Sequence, residues 1–264
     1  MCIKQVPGVS ELNIDPNTNT LVREGVLSIL NPNDRNAIEL ALMLKKNQGT
    51  EVITLSMGPP QAEEILREAL AMGVDKGFLL SDKAFAGADT LATSHTLALA
   101  IKKILKESTS EEKYLIICGT QAIDGDTGQV PPELAEELGI PQITYVQQVE
   151  LSEDKIIVER KFRATEIVII ETKLPALISV LTDINKPRYP NMVGIMKAYE
   201  KSSVIHLDST ALNADKSKIG LKGSMTEVKN IFIPKRKGKH IILEGSSEEV
   251  VKKLCQHLKE DKIC

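Results

Sequence analysis

Tryptophan is absent from this chain, and aromatic residues of every kind make up only 3% of its 264 positions. So few ring faces argue against a platform on which nucleic-acid bases stack and against a pocket walled by indoles. A large planar ligand bound here would lean on aliphatic side chains, backbone or a partner. An excess of either charge is also lacking, with 33 basic against 36 acidic residues and a net charge of −3. Nothing global therefore favours nucleic acid or an anionic membrane surface. No apolar run approaches the roughly 20 residues that a membrane helix needs. The start Met1-Cys2-Ile3-Lys4 lacks a basic flank followed by an apolar signal core. The expectation is a cytoplasmic protein without membrane insertion. The four cysteines, Cys2, Cys118, Cys255 and Cys264, form no C-x-x-C, so neither a disulfide framework nor a zinc or iron–sulfur site is indicated, and reduced thiols are expected. His95, His206, His240 and His257 make no metal-like spacing, and no Ser-His-Asp or paired-carboxylate arrangement follows from spacing. No catalytic or metal-ligating residue is assigned.

What is present is enough apolar sequence, 42% of residues, for one large α/β domain or one domain with an appendage. Residues 2–6 read as the end of a strand. Asn31, Pro32, Asn33 and Asp34 open a helix, with a capping side chain, a proline at the first helical position and a carboxylate in the first turn. Ala37, Leu40, Ala41 and Leu44 then recur at helical spacing. Strand 51–57, turn 58–60, helix 61–72, strand 76–81, helix 89–106 and strand 114–118 follow. Repeated β–α units of this kind predict a Rossmann-like, mostly parallel sheet flanked by helices on both faces. After Gly139 four β-rich runs, 143–149, 155–160, 166–171 and 176–181, read as an antiparallel β meander attached to that sheet. From about residue 185 the periodicity weakens into an irregular C-terminal arm of the kind that wraps something. The arm ends in helix 247–259, with Val250, Val251, Leu254 and Leu258 on one face. The division expected is 1–184 as an α/β nucleotide-binding domain and 185–264 as a partner-docking segment and C-terminal arm with its terminal helix.

The most informative stretch is 114–130, where an apolar run breaks at Gly119 into a polar loop, Thr120, Gln121, Ala122, Ile123, Asp124, Gly125, Asp126, Thr127 and Gly128, before a helix that begins near Gln129 and Val130. Glycines at 119, 125 and 128 let backbone N–H groups approach an anion, and the helix start adds unpaired amides and its positive dipole end. This points to a nucleotide or dinucleotide phosphate. The stretch is neither a Walker loop nor G-x-G-x-x-G, and a plain glycine-bearing strand-to-helix turn with a helix cap is the other reading. The basic run Lys235-Arg236-Lys237-Gly238-Lys239-His240 is short and lacks interleaved aromatics, so it reads as a solvated or subunit-facing stretch and not as a nucleic-acid site.

Several segments, in order along the whole chain, resemble the beta subunit of electron transfer flavoproteins. Cys2-Ile3-Lys4-Gln5-Val6 is similar to that family's first strand, Asn31-Pro32-Asn33-Asp34 to its helix start and 69–77 to its second helix exit. Residues 119–130 resemble its nucleotide loop, Val158-Glu159-Arg160 with 173–176 its meander, and 187–189 through 195–198 the segment leading to partner docking. The resemblance implies a subunit that pairs with an alpha subunit carrying FAD and passes electrons to a flavin-containing dehydrogenase or reductase. Simpler members hold AMP in the beta subunit as a structural ligand and dock acyl-CoA dehydrogenase-type partners, whereas electron-bifurcating members hold a second FAD that takes hydride from NADH and sends one electron to ferredoxin. Residues 124–130 and 84–93 look like the bifurcating group, which favours FAD, with AMP as the alternative. There are departures: the chain starts some residues short of the family's usual first strand, which leaves that strand clipped or the start residue misassigned. Met192-Val193-Gly194 stands in place of the usual Leu-Pro-Asn neighbourhood, which puts in doubt the ordinary acyl-CoA dehydrogenase partner and points to a different flavin enzyme.

Each candidate cofactor residue has a plainer role beside it. The amides of Thr127, Gly128, Gln129 and Val130 suit phosphate or a simple cap. Asp124 and Asp126, which phosphates would repel, suit ribose hydroxyls or capping. Cys2, Ile3 and Lys4 lie where open α/β sheets place ligands, or merely end a strand. The resemblance puts Asn31, Pro32, Asn33 and Asp34 near the adenine, with capping as the other reading. Met57 would pack an adenine or ribose face, or the core. Ala86, Gly87, Asp89, Thr90 and Thr93 belong to a small-residue loop and helix start suited to close approach of a flavin or nicotinamide, or to an ordinary connection with an aspartate cap.

Overall fold

The apolar runs become strands covered from both sides. The structure, a computed structural model, describes residues 1–8, 27–107, 113–152, 154–163, 165–200, 204–229 and 241–260. The chain divides into two units, Met1–Lys229 and Asn230–Cys264.

In the first unit β1 (Gln5–Pro7) pairs antiparallel with β2 (Ser28–Leu30), which leads into α1 (Pro32–Gln48). Then come β3 (Ile53–Met57), α2 (Glu63–Met72), β4 (Lys76–Leu80), α3 (Thr90–Glu107), β5 (Leu115–Gly119) and α4 (Val130–Leu138). Next are β6 (Gln142–Leu151), β7 (Lys155–Lys161), β8 (Ile167–Lys173) and β9 (Ala176–Val180), followed by α5 (Met192–Ala198), β10 (Val204–Leu207) and α6 (Gly220–Gly223). Strands β10, β4 and β3 are parallel neighbours, and so are β5, β9 and β6. Cys2 joins the two groups, forming parallel bridges to Leu55 on one side and Cys118 on the other. Beyond β6 the antiparallel partners β7 and β8 complete the series.

Period-two alternation builds a core on each face. Ile117 and Leu79 point into the cluster that holds Ile38, Ala41 and Leu66 of α1 and α2. Ile116, Cys118, Phe78 and Leu80 point into the cluster that holds Leu97, Ile101 and Leu134 of α3 and α4. Fully burying each such aliphatic side chain contributes about 1.5–3 kcal/mol.

Three sequence expectations are corrected. Asn31 sits at the N-cap of α1, but its side chain makes no cap hydrogen bond and reaches the 121–123 loop instead. The run 176–181 is not the last strand of the meander, because β9 inserts between β5 and β6 and is parallel to both. Its five residues are all buried, as a strand covered on both faces demands. Residues 2–6 are not one strand: Cys2 lies in the parallel sheet, whereas Gln5–Pro7 turns away to pair with β2. The weakly periodic segment after 185 also contributes β10, an edge strand parallel to β4. A bulge in β6, with Tyr145 at φ 59°, lets that strand pass from β9 to β7.

The segment after β9 is tied to α1 by side chains. Asn36 Nδ2 donates to the carbonyls of Thr182 and Asn185, both at 2.9 Å, and Arg188 clasps the Glu39 carboxylate at 2.8 Å. In the second unit α7 (Ser247–Glu260) starts with a reciprocal cap: Glu249 N–H donates to Ser246 Oγ and Ser246 N–H to Glu249 Oε2 at 3.0 Å. The basic run 235–240 lies outside the described residues.

The first turn of α1 presses on the end of β5. A Cβ on Gly119 would meet Asp34 Oδ1 and lie 2.7 Å from the backbone carbon of Asn33, whereas one on Gly125 would meet nothing within 4 Å. Gly119→Ala is expected to cost about 1–3 kcal/mol or more, and Gly125→Ala less than about 0.5 kcal/mol. Urea unfolding of both variants checks this, and equal midpoints would contradict the packing.

Candidate nucleotide site at the carboxyl edge of the sheet

Chain order reverses across the sheet at Cys2, with β3 on one side and β5 on the other. The carboxyl edge of such a switch point is where open α/β sheets bind ligands. Four segments predicted from sequence meet there: residues 2–4, 31–34, 86–93 and 119–130.

Asp34 holds two of them. Its carboxylate accepts the Lys4 N–H at 2.8 Å and the Gly119 N–H at 3.2 Å. The side chain is buried, and that desolvation raises its pKa to about 7 against the pull of those two donors and Asn31. Asn31 and Asn33 both donate to the Gln121 carbonyl, at 3.0 and 2.7 Å, and Asn31 Oδ1 accepts the Ile123 N–H. Both asparagines thus brace the loop. Pro32 opens the helix between them.

The loop is exposed from Ile123 to Thr127. Lys4 Nζ lies 2.8 Å from both Asp124 oxygens, and Asp126, at φ 51°, accepts from Gln121 Nε2 at 2.9 Å. Neither aspartate caps α4; the nearest thing to a cap is Thr127 Oγ1, 3.5 Å from the Gln129 N–H. Gly128 takes φ 61°, a conformation that favours glycine. Gly119 has a different use, since its amide is committed to Asp34. Pro131 and Pro132 have no N–H, so α4 offers fewer donors than an ordinary helix start. The open donors are the amides of Thr127, Gly128 and Val130, which make no hydrogen bond among the described residues. Thr120 and Ala122 shape the loop: the Thr120 hydroxyl donates to the Val180 carbonyl at 2.6 Å, and the Ala122 carbonyl accepts the Asp126 N–H at 2.9 Å.

The second loop is linked to the first. Thr90 Oγ1 lies 3.3 Å from Gln129 Oε1 and 3.1 Å from Glu133 Oε1. Ala86 and Gly87 are exposed, with Gly87 at φ 74°. Asp89 is occupied within the protein: Oδ1 accepts the Ala92 N–H, and Oδ2 accepts the N–H of Met225 and both the N–H and the hydroxyl of Thr226. Burial pushes its carboxyl up, but these bonds outweigh that and hold it below the ordinary value. Residues 221–226 therefore flank this loop, a neighbour that sequence reasoning missed; the only signal was the pair Gly220 and Gly223. Thr93 is half-buried one turn into α3. The Cys2, Ile3 and Met57 side chains pack into the two cores, so Cys2 and Ile3 offer the edge only their backbone.

The electron transfer flavoprotein domain family matches residues 18–210. The chain belongs to the electron transfer flavoprotein family. Within the family it is of the beta-subunit type, and its work is electron transfer. The electron transfer flavoprotein subunit beta of Thermoanaerobacterium thermosaccharolyticum is 48% identical over 256 residues, 97% of this chain and 95% of the relative. The caffeyl-CoA reductase-Etf complex subunit CarD of Acetobacterium woodii is 46% identical over 100% of this chain and 98% of the relative. The acryloyl-CoA reductase electron transfer subunit gamma of Anaerotignum propionicum is 43% identical over 98% and 96%.

Electron transfer flavoproteins bind nucleotide cofactors, and in this member Asp34 gives the site a pH signature. A carboxyl whose pKa rises on folding from 3.8 to about 7 contributes stability that is full below pH 3.8 and is lost as pH rises to about 7. The loss is up to about 4 kcal/mol. Asp34→Asn keeps one acceptor and cannot ionise, so the variant is expected to be less stable at low pH but to lack this decline. Chemical denaturation of both proteins from pH 4 to pH 8 decides it; parallel curves would show that Asp34 does not titrate there.

Proposed function

We propose that the crevice between residues 2–4, 31–34, 86–90 and 119–130 holds FAD, and that the protein is the beta subunit of an electron-bifurcating complex. The carrying observation is the set of amides at Thr127, Gly128 and Val130 on the carboxyl edge that make no hydrogen bond among the described residues, in a loop braced by Asn31, Asn33 and Asp34. Amides of this kind suit the oxygens of a pyrophosphate. The exposed small residues Ala86 and Gly87, coupled to the first loop through Thr90 and Gln129, support a ligand longer than a mononucleotide. The names of the relatives from Acetobacterium and Anaerotignum, which place them with a caffeyl-CoA reductase and an acryloyl-CoA reductase, support a reductase partner of that kind.

In this reading Thr127, Gly128 and Val130 bind phosphate through their N–H groups, Asn33 Oδ1 and Asp126 face the sugar, and Lys4 balances Asp124 at the crevice mouth. FAD, when bound, supplies acceptance of hydride from NADH and delivery of single electrons. The partners are an alpha subunit with its own FAD, a flavin-containing dehydrogenase or reductase, and ferredoxin. The protein's part is placement and electrostatics.

Purified with its alpha subunit and then denatured, the complex is expected to release two flavins per heterodimer. One flavin with one AMP would overturn the FAD reading and leave the phosphate site intact. Gly128→Val, which forces a β-branched side chain into φ 61°, is expected to weaken nucleotide binding at this site at least about tenfold while the alpha flavin remains, a loss of about 1.4 kcal/mol. Unchanged nucleotide content would overturn the loop's role.

A further inference from the structure

Two aspartates stand at the ends of the second loop, and each divides its carboxylate in the same way. Asp82 Oδ1 accepts the Ala84 N–H at 2.9 Å inside its own turn, and Oδ2 accepts the N–H and the hydroxyl of Ser209. Asp89 Oδ1 accepts the Ala92 N–H at 3.0 Å at the start of α3, and Oδ2 accepts from Met225 and twice from Thr226. One oxygen of each shapes the loop locally. The other fastens it to the chain that follows β10.

Between these two clips the later chain lies tight on the loop. Leu221 N–H donates to the Ala86 carbonyl at 3.0 Å, and the Ser224 hydroxyl accepts the Asp89 N–H at 2.8 Å while it donates to the Gly220 carbonyl at 2.9 Å. Ile219 is buried in the same core as Phe85. A Cβ on Gly220 would run into the Ala84 carbonyl oxygen, and one on Gly87 would lie 3.2 Å from Leu221 Cβ. Residues 209–226 therefore act as a strap along 82–89.

The loop depends on such a strap to keep one shape. Ala86 and Gly87 are exposed and carry too little side chain to pack, and Gly87, at φ 74°, is of the residue type with the most backbone freedom to lose. Ordering a loop of this kind opposes binding when the ligand has to do it. A loop ordered beforehand removes that opposition.

We propose that Asp89, through the strap, is a positioning residue that makes the crevice select for the length of its ligand. With the clip made, the second loop is preorganised for the part of a dinucleotide that lies beyond its phosphates, whereas a mononucleotide held at 127–130 is indifferent to that loop. Both oxygens of Asp89 are engaged within the protein, so it acts through the loop and not by touching the ligand. The inference rests on the FAD reading of the crevice given above.

Asp89→Ser separates the two tasks of the carboxylate, because serine keeps a capping oxygen for α3 and has no second oxygen for Met225 and Thr226. In the complex with the alpha subunit, the variant is expected to exchange its Met225 and Thr226 amides at least about tenfold faster. AMP is then titrated against both complexes at one saturating FAD concentration, and flavin per heterodimer is counted after gel filtration. The AMP concentration that displaces half of the second flavin is expected to fall at least about tenfold in the variant. A merely structural defect weakens FAD and AMP alike and leaves that concentration where it was, a result that would overturn the proposal, as would amides that exchange no faster. If the original complex carries no second flavin to displace, the FAD reading fails and the selection for length fails with it; a second flavin equally hard to displace from both complexes sinks the strap alone. Should Asp89→Ser not assemble, Ser224→Ala combined with Thr226→Val loosens the strap from its other side and must lower the same AMP concentration at least about threefold. No change there would overturn the proposal as well.

Discussion

A buried carboxylate bonded to two strand ends is the constraint on which the site depends. Asp34 reaches from the first turn of α1 to the amides of Lys4 and Gly119, one at the end of the segment where chain order reverses and the other on the neighbouring β5. That contact adds a tie between α1 and β5 to the backbone bonds that already hold the amino-terminal segment, Cys2 N–H to the Ile117 carbonyl and Asn31 N–H to the Lys4 carbonyl. The contact also dictates its neighbours. Asp34 and Asn33 leave no space for a Cβ at Gly119, and the close approach of α1 lets Asn31 and Asn33 reach the Gln121 carbonyl. The loop's posture is therefore inherited from the helix on its other side.

That inheritance bears on how a helix start with two prolines would serve the proposed anion site. Pro131 and Pro132 remove donors from the first turn of α4. What remains is the approach to the helix, where Asp126 and Gly128 take positive φ and the amides of Thr127 and Gly128 make no hydrogen bond among the described residues. Successive N–H groups in such a turn form an anion-binding concavity without a long helix behind it. The Thr90 hydroxyl, between Gln129 and Glu133, then fixes the second loop to the same frame.

The sequence showed the alternation of strands and helices, the loop at 119–130 and the segments that meet around it, because each is encoded locally by periodicity, glycine and proline. It did not show long-range pairing. The run 176–181 looks like any apolar strand, and only the parallel register with β5 places it inside the sheet. Asn31 carries a capping side chain at a capping position, yet its Oδ1 accepts the N–H of Ile123, distant in sequence, and its Nδ2 donates to the Gln121 carbonyl. Asp89 likewise reads as a simple cap, and its second oxygen is engaged by Met225 and Thr226, which no local pattern links to it.

The electrostatics of the crevice follow from the same packing. Anionic side chains are numerous around it, and an anionic cofactor would be repelled by Asp34, Asp124 and Asp126 if all were bare charges. They are not. Burial brings Asp34 to a pKa of about 7, so near neutrality it carries a full charge only part of the time. Lys4 cancels Asp124, and Asp126 is bonded to Gln121. A phosphate arriving beside Asp34 would raise its pKa further and drive it toward the neutral form. Attraction is then left to the amides of 127, 128 and 130, fixed dipoles that need no countercharge and do not compete for protons. On the FAD reading proposed above, the carrier holds its cofactor while the cofactor's own charge changes and benefits from that arrangement, because fixed amides neither gain nor lose a proton when the electrons move.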